Sequence, residues 1–299
     1  MGFTVHVPGT YSLLVDFGRP HSRSLGVPIG GAADRASLAL GNAMIGNPPD
    51  ALALELTLAG PTLEATADHG CVVYGAGFRL WVHDALQPVG KTFMVRAGDF
   101  LTISTSSRGL RGYLCVAGGF QSKEVLGSRS AFETIQPGQV LECPESRIQP
   151  RFAGALLDPA GDPHTLRTLP GTHLASFPAD QFFGEDYVVR ANSNRMGLRL
   201  EGKPLPRPEG EQLSAPVAPG TVQITHDGQP IVLGVDAQTI GGYARIAHVI
   251  TADLDKLGQL APGEHVQFQQ IEMQNALVLN RQRQAWLHDW VVRLRTASI

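Results

Sequence analysis

Short apolar runs separated by glycine and proline set the strongest limit on how this chain folds. Its 299 residues include 34 glycines and 21 prolines, well above the share of about 12% for the two residues in an average protein. Because they are spread among the apolar runs, they indicate turns between many short strands. We therefore predict a mainly β fold with a few short helices. A chain of this length forms one large or two medium domains.

Periodicity places the individual elements. Strands are predicted where apolar residues alternate or run continuously: residues 3–8, 11–17, 52–58, 71–74, 80–82, 92–95, 100–104, 111–116, 174–177, 187–189, 198–201, 221–224, 231–234 and 265–269. Helices are predicted over residues 34–45, with Asp34 as N-cap, and over residues 252–257. The tail from Met273 to Arg295 has few helix breakers and is predicted to form a terminal helix.

Similar turns in the two parts of the chain indicate two related halves. Ala97-Gly98-Asp99 and Pro262-Gly263-Glu264 each precede a short apolar run. Residues 144–170 are rich in proline, glycine and aspartate and lack periodicity, which is typical of a linker. We predict a β-rich N-terminal domain over residues 1–150 and a β-rich C-terminal domain over residues 151–299, which ends in the terminal helix.

The charge and the apolar pattern exclude several classes of protein. A formal net charge of −3 provides no basic surface for nucleic acid. No apolar stretch reaches the roughly 20 residues of a membrane span, and we expect no signal peptide because the first residues lack a cationic start. Three widely spaced cysteines, Cys71, Cys115 and Cys143, indicate buried thiols in a reducing compartment. We therefore expect a cytoplasmic protein.

Two kinds of cofactor are not expected to bind this chain directly. No Walker-type GxxxxGK[ST] motif occurs, so we expect no P-loop for ATP. The ten histidines include no HxH or HxxxH pair, so we expect no metal site. Charged residues make up only 17% of the chain, below the roughly 25% of typical domains, which favours a surface partly covered by other proteins of a complex.

The segment Gly26–Asp34 runs from a loop into the start of the first predicted helix. Gly30 and Gly31 would let a ligand approach the backbone, and N–H groups at a helix N-terminus bind carboxylate or phosphate. Asp34 is therefore a candidate catalytic residue, with the two glycines as substrate-binding positions. The alternative is a plain loop-to-helix turn with an aspartate cap.

A second candidate site follows the apolar strand at residues 231–235. Its polar and glycine positions are Asp236, Gln238, Thr239, Gly241, Gly242 and Tyr243. Amide, hydroxyl and carboxylate groups beside glycines suit a small polar ligand such as an amide or a lactam. We predict that Asp236 acts as a general base, that Tyr243 takes part in catalysis, and that the others bind the substrate. The alternative is a polar turn.

Two arginines, Arg195 and Arg199, flank a Met-Gly step. In a continuous strand their side chains would share a face and could bind a carboxylate. The alternative is a pair of solvated surface arginines.

Nine segments carry a resemblance to a known family. In chain order they are Gly26–Asp34, Gly41–Asn47, Glu55 with Gly60-Pro61, Arg111–Gly119, Leu126–Ser130, Asn194–Gly202, Asp227–Leu233, Gln238–Tyr243 and Ala252–Leu254. Together they resemble the family of the 5-oxoprolinase C subunit, also called the biotin-dependent carboxyltransferase family and, in older naming, allophanate hydrolase subunit 2. The resemblance spans nearly the whole chain.

The resemblance implies two cyclophilin-like β-barrel domains and a heteromeric complex. In bacterial 5-oxoprolinase, the A, B and C subunits together open 5-oxoproline to glutamate at the expense of ATP. We therefore expect one component of such an ATP-dependent amidohydrolase, active only with A-type and B-type partners. One alternative is a biotin-dependent carboxyltransferase acting on urea or a similar small amide, with a biotin carrier as partner. A second alternative is a non-catalytic regulatory interaction protein.

Overall fold

Strands make up most of the regular structure in residues 1–154, 161–206 and 213–296, the part of the chain that this computed structural model describes. Contacts divide the chain into two units. The first contains Met1–Arg19, Gly30–Leu157 and Trp286–Ile299, and the second contains Pro20–Ile29 and Asp158–Ala285. This division differs from the predicted boundary at residue 150 chiefly because residues 20–29 group with the second unit and residues 286–299 with the first.

The first unit contains two antiparallel sheets and helix α1 (Arg35–Met44). Its strands are β1 (Gly2–Val7), β2 (Tyr11–Val15), β3 (Ala53–Thr57), β4 (Thr62–Ala65), β5 (His69–Gly75), β6 (Phe78–Val82), β7 (Ala85–Gln87), β8 (Phe93–Val95), β9 (Phe100–Ser106), β10 (Arg111–Val116) and β11 (Val140–Glu142). One sheet has the order β11-β1-β4-β9-β6-β7, and the other has the order β2-β3-β10-β5-β8.

The five-stranded sheet is buried on both faces. On one face Leu114 of β10 belongs to the core shared with the six-stranded sheet. On the other face Tyr113 and Cys115 pack in a cluster with Leu38 and Met44 of α1. A sheet covered on both sides needs continuous apolar strands rather than alternating ones, which is why all six residues of β10 are buried.

The second unit is built around a closed barrel. Its strands are β12 (Thr165–Pro170), β13 (Tyr187–Val189), β14 (Gly197–Glu201), β15 (Ala215–Pro216), β16 (Thr221–Ile224), β17 (Pro230–Leu233), β18 (Ile240–Gly241), β19 (Ala244–Val249) and β20 (His265–Gln270). Seven of them close in the order β12-β19-β16-β17-β14-β13-β20, while β15 and β18 form a separate two-stranded sheet. Its helices are α2 (Ala179–Gly184) and α3 (Leu254–Leu257), and 3-10 turns lie at Arg23–Leu25, Leu174–Ser176 and Thr251–Asp253. Helix α4 (Met273–Thr296) begins in this unit, and its residues from Trp286 onward are grouped with the first unit.

Strand register places one row of side chains on the outer face of the barrel. Arg199 of β14 is paired with Ile231 of β17, which is paired with Gln223 of β16. Gln223 is paired in turn with Arg245 of β19, next to a shift in register. Paired residues in adjacent strands point to the same face, and their strand neighbours, Val222 among them, fill the barrel core.

The mainly β fold, α1 and the terminal helix are confirmed. The predicted strand near residues 174–177 is wrong, because i→i+3 hydrogen bonds from Ser176 and Phe177 make a 3-10 turn there. The predicted linker is wrong over Thr165–Pro170, which forms β12, and its residues 155–160 lie outside the described part of the chain. Within the described residues, no helix is both long and apolar enough to cross a membrane.

Candidate functional site

Asp34 caps the first helix with both of its carboxylate oxygens. Oδ1 accepts a hydrogen bond from the Ser37 backbone N–H at 2.9 Å, and Oδ2 accepts one from the Ser37 hydroxyl at 2.6 Å. The side chain is buried in the first unit. A capping carboxylate satisfies helix N–H groups that would otherwise lack partners. The carboxylate thus has a structural role, and a catalytic role for Asp34 remains a prediction.

Backbone N–H groups ahead of α1 are occupied by protein acceptors. Ala32 donates to the Asp16 carbonyl and Ala33 to Oε2 of Glu55, both at 2.9 Å. Asp34 donates to the Tyr113 hydroxyl at 2.8 Å, and that hydroxyl donates to Oε2 of Glu55 at 2.8 Å. Burial, followed by the negative charge of Glu55, raises the pKa of Tyr113 well above its ordinary value, so the phenol stays protonated. These N–H groups therefore hold the loop and do not face a ligand.

Gly31 lets two parts of the first unit approach each other closely. It adopts a left-handed φ of 77°, as Gly30 does at 63°. A Cβ at Gly31 would lie 2.5 Å from the Gly18 nitrogen and 2.8 Å from the Asp16 carbonyl oxygen, so only glycine fits there. The glycine pair thus has a structural explanation, and its substrate-binding role stays a prediction.

In the second unit, Arg195 and Asp236 form a bidentate ion pair. Nε donates to Oδ2 at 2.7 Å and Nη2 donates to Oδ1 at 2.9 Å. The Asp236 N–H also donates to the Arg195 carbonyl at 3.1 Å. Arg195 lies before β14, which begins at Gly197. The expectation that Arg195 and Arg199 share a strand face is therefore wrong: Arg195 is held by Asp236, and Arg199 alone lies on the strand.

Arg199 and Tyr243 line a cleft of about 240 Å³ on the outer face of the barrel. The full lining consists of Arg190, Arg199, Leu200, Thr225, His226, Asp227, Gln229, Pro230, Ile231 and Tyr243. The Tyr243 ring meets the His226 ring edge-on, with 5.1 Å between centroids. Two candidate residues from separate sequence segments are thus brought together by the barrel.

The charges in this cleft favour an anionic ligand. Arg190 is 3.8 Å from both Glu201 and Asp227, a distance of weak pairing. The Arg199 backbone bonds to the Ser193 hydroxyl, but its guanidinium has no partner within the described ranges. A hydrogen bond from the Thr225 hydroxyl lowers the pKa of Asp227, so that carboxylate stays charged beside Arg190. Among the residues that the structure describes, Arg199 is thus the cleft arginine whose guanidinium is unpaired, and it can bind a carboxylate.

Four further predicted positions, Gln238, Thr239, Gly241 and Gly242, are not among the residues that line the cleft. Gln238 is exposed, and the Thr239 carbonyl accepts a hydrogen bond from Val217 at 3.0 Å. Gly241 belongs to β18 and pairs with Ala215 of β15, and Gly242 follows it. These four residues form the segment that leads into Tyr243, and their substrate-binding roles stay predictions.

Sequence reasoning missed several lining residues. Thr225, His226, Asp227 and Gln229 come from the turn between β16 and β17, and Arg190 follows β13. Asp227 and Gln229 lie in the segment Asp227–Leu233, which carries part of the family resemblance, whereas Arg190, Thr225 and His226 lie outside the nine segments. Polar residues in a tight turn look the same in sequence whether they border a ligand site or only solvent. The pairing register of the flanking strands is needed to distinguish these two cases.

Comparison with known families bears directly on the identity of the chain. The family described as "Carboxyltransferase domain, subdomain A and B" matches residues 25–270. The chain belongs to this carboxyltransferase family. The matched region includes both the Gly30–Asp34 segment and the cleft residues, so the resemblance drawn from nine segments is confirmed.

Curated relatives and solved structures place this carboxyltransferase-family chain more closely. It is 34% identical to the C subunit of 5-oxoprolinase from Escherichia coli (strain K12), covering 97% of this chain and 98% of the relative. It is 33% identical to the C subunit of 5-oxoprolinase from Haemophilus influenzae, covering 91% and 92%. The crystal structure of Kluyveromyces lactis urea carboxylase matches with a TM-score of 0.84 and 26% identity, over 97% of this chain and 29% of that protein.

The relatives of this carboxyltransferase-family chain are parts of larger assemblies. Two are named as subunits of 5-oxoprolinase, and the urea carboxylase contains a matching region within a much longer chain. A role within an enzyme complex is therefore supported for this chain.

Proposed function

We propose that the chain is the C-type component of an ATP-dependent 5-oxoprolinase, which opens the lactam of 5-oxoproline to glutamate together with A-type and B-type subunits. The observation that carries this proposal is the reciprocal coverage: 97% of this chain aligns with 98% of a protein named as the C subunit of 5-oxoprolinase. The match to urea carboxylase, by contrast, covers only 29% of the urea carboxylase chain.

The cleft suits the two functional groups of 5-oxoproline. That substrate carries a carboxylate next to a small lactam. Arg199 provides the guanidinium for the carboxylate, in an interaction stronger than a neutral hydrogen bond. Tyr243, in the wall of the same cleft, provides a hydroxyl for the lactam.

The other predicted residues take supporting roles in this proposal. Asp236 fixes Arg195 and thereby the chain ahead of β14. Asp34 fixes the start of α1. Neither is assigned a step in the reaction, and Gln238 and Thr239, just before β18, are proposed as further substrate contacts.

ATP would be used by the complex and not by this chain alone. The sequence has no Walker-type loop, so the A-type and B-type subunits would bind and cleave ATP. In such a complex this chain contributes substrate binding, and its separate activity is expected to be nil.

The deciding experiment is reconstitution. The chain is combined with A-type and B-type subunits from the same source, and glutamate and ADP formation are measured with and without 5-oxoproline. The proposal predicts 5-oxoproline-dependent ADP release that requires all three proteins. Equal ADP release without this chain would exclude the proposed role.

A second candidate, biotin-dependent carboxyl transfer to urea, is favoured by one observation. The urea carboxylase structure reproduces the fold over 97% of this chain with a TM-score of 0.84. In that case a biotinylated carrier protein would be needed, and avidin would block the reaction. Avidin-insensitive glutamate formation supports the first candidate, and avidin-sensitive carboxylation of urea supports the second.

A further inference from the structure

Gln223 lies on β16 with 0% exposure. Neither its Oε1 nor its Nε2 has a hydrogen-bond partner among the described residues. A buried carboxamide has lost its hydrogen bonds to water, and native proteins almost always replace them. A carboxamide with both ends unsatisfied therefore indicates a group that another molecule completes.

Gln223 lies next to the cleft. Its partner in β17 is Ile231, which lines the cleft, and Ile231 is paired in turn with Arg199. The three side chains thus form a continuous row on the outer face of the barrel. Arg199 and Gln223 lie two strand spacings apart, with β17 between them, which is about 10 Å for neighbouring strands about 4.8 Å apart.

The cover over Gln223 is thin. A Cβ at Gly241 would lie 2.7 Å from Nε2 of Gln223, so the β18 backbone rests directly on the carboxamide. β18 is only two residues long, and it pairs with β15 through Ala215 and Pro216. Short ladders of this kind open at low cost compared with a barrel strand. A small displacement of the segment Ile240–Tyr243 would join the carboxamide to the cleft.

We infer that the Gln223 carboxamide recognises the amide of the substrate, pairing its own N–H and C=O with the C=O and N–H on one edge of a lactam or of urea. A lactam is held in the cis form by its ring, so its N–H and C=O point the same way, and urea presents the same edge. A glutamine carboxamide offers the complementary donor and acceptor. An ordinary trans amide cannot present both groups on one edge.

This role explains why a buried side chain would recognise the amide of a small substrate. Sites built to hydrogen-bond a donor reject an analogue that lacks it, because the buried polar group is then left unpaired. Arg199 binds the carboxylate in the cleft, and Gln223 hydrogen-bonds the amide beneath β18. The role of Gln223 rests on the proposed function, which is the opening of an amide substrate. The role of Gln223 and the proposed function are therefore tested by separate measurements.

The test uses the full chain labelled with ¹⁵N at glutamine side chains. The Gln223 signal is identified by its loss in Gln223→Met. The probes are 2-pyrrolidone, urea and 5-oxoproline, with N-methyl-2-pyrrolidone as the probe that lacks the N–H donor. We expect the Gln223 signal to shift saturably with the first three and not with the fourth. Gln223→Met should weaken 2-pyrrolidone binding by roughly tenfold or more, while the exposed strand variant Gln267→Met leaves it unchanged.

Two results would overturn the inference. One is a Gln223 signal that none of the three amide probes moves, and the other is unchanged 2-pyrrolidone binding in Gln223→Met. Folding is checked by thermal unfolding without any amide probe, where loss of an unsatisfied carboxamide should not lower the Tm. If 2-pyrrolidone engages Gln223 but the reconstituted complex makes no glutamate from 5-oxoproline, the proposed function fails and this inference stands. If the complex makes glutamate from 5-oxoproline and Gln223→Met leaves its KM unchanged, the proposed function stands and the inference about Gln223 fails.

Discussion

Arg195 and Asp236 hold each other through two parallel hydrogen bonds, 2.7 Å from Nε to Oδ2 and 2.9 Å from Nη2 to Oδ1. The Arg195 side chain is buried and the Asp236 side chain is partly exposed. The carboxylate therefore neutralises a guanidinium charge that would otherwise be buried without a counter-charge. The sequence alone predicts the same two residues as substrate ligand and general base. Their pairing gives both side chains a partner within the chain, and Arg199 is therefore the residue that we propose as the carboxylate ligand.

The first prediction concerns this ion pair. Asp236→Asn should lower the free energy of unfolding by about 1–3 kcal/mol, because it leaves a buried guanidinium without its counter-charge. The exposed pair formed by Arg293 and Asp289 is the matched control, and Asp289→Asn should change stability by no more than about 0.5 kcal/mol. Urea unfolding measures both. A stable Asp236→Asn protein that has lost all turnover in the complex would restore Asp236 as the general base.

The fold was largely predictable because the residues that begin and end its strands and helices act locally in the sequence. Glycine and proline between apolar runs predicted the strands, and Asp34 ahead of an apolar helical set predicted α1. β19 was missed because Arg245 and His248 interrupt its apolar pattern and a register shift lies opposite it. β12 was missed for a similar reason, since the buried Thr168 looks polar in sequence.

The site was less predictable, because it depends on pairing between distant strands. Arg199 and Tyr243 can each be identified from their own segments, but their meeting in one cleft follows from the barrel register. Gln223 carried no sequence signal, since a glutamine between Val222 and Ile224 is usual for an outward-facing strand position. Its burial comes from β18, which the sequence presents as a polar turn.

The second prediction concerns Arg199 as the carboxylate ligand. In the reconstituted complex, Arg199→Ala should raise KM for 5-oxoproline by roughly 10- to 100-fold, the range for a hydrogen bond to a charged group. Binding of 2-pyrrolidone, which has no carboxylate, should stay within about twofold of the original value, since that probe makes no such bond. Arg79→Ala, at an exposed position of β6, is the control and should alter neither. Equal losses for both probes would show that Arg199 supports the cleft rather than the carboxylate.

The third prediction separates the structural and catalytic roles of Asp34. Asp34→Ala removes the cap and should cost about 1 kcal/mol of stability, whereas Asp34→Ser keeps a capping oxygen and should cost much less. Activity of the Asp34→Ser complex should remain close to that of the original protein. A well-folded Asp34→Ser complex without activity would mean that the carboxylate itself takes part in the reaction.

The fourth prediction is a pH dependence in the first unit. Burial by itself raises the pKa of Asp16, but hydrogen bonds from Ser128, Ser130 and the Arg129 and Gly18 N–H groups outweigh it and lower the pKa. A lowered pKa in the folded state contributes stability that is complete above the unfolded value of about 3.9 and is lost as the pH falls through the folded value.

Asp16→Asn should therefore be less stable than the original protein at pH 7 and should lose less stability between about pH 5 and pH 2. Urea midpoints across this range measure the difference. Asp50→Asn, at an exposed position in the same unit, is the control and should follow the original curve. Parallel curves for Asp16→Asn and the original protein would rule out the assigned role of Asp16.

The last prediction tests the contact between Gly241 and Gln223. A methyl group at Gly241 would come within 2.7 Å of Nε2, and because no partner among the described residues holds the carboxamide, Gly241→Ala should push it aside. Binding of 2-pyrrolidone should then weaken several-fold with little change in the Tm measured without any amide probe. Gly184→Ala, where nothing lies within 4 Å, is the control. In the double variant with Gln223→Met, the second change should add almost nothing, since both act on one carboxamide. Fully additive losses would mean that Gly241 and Gln223 affect binding separately.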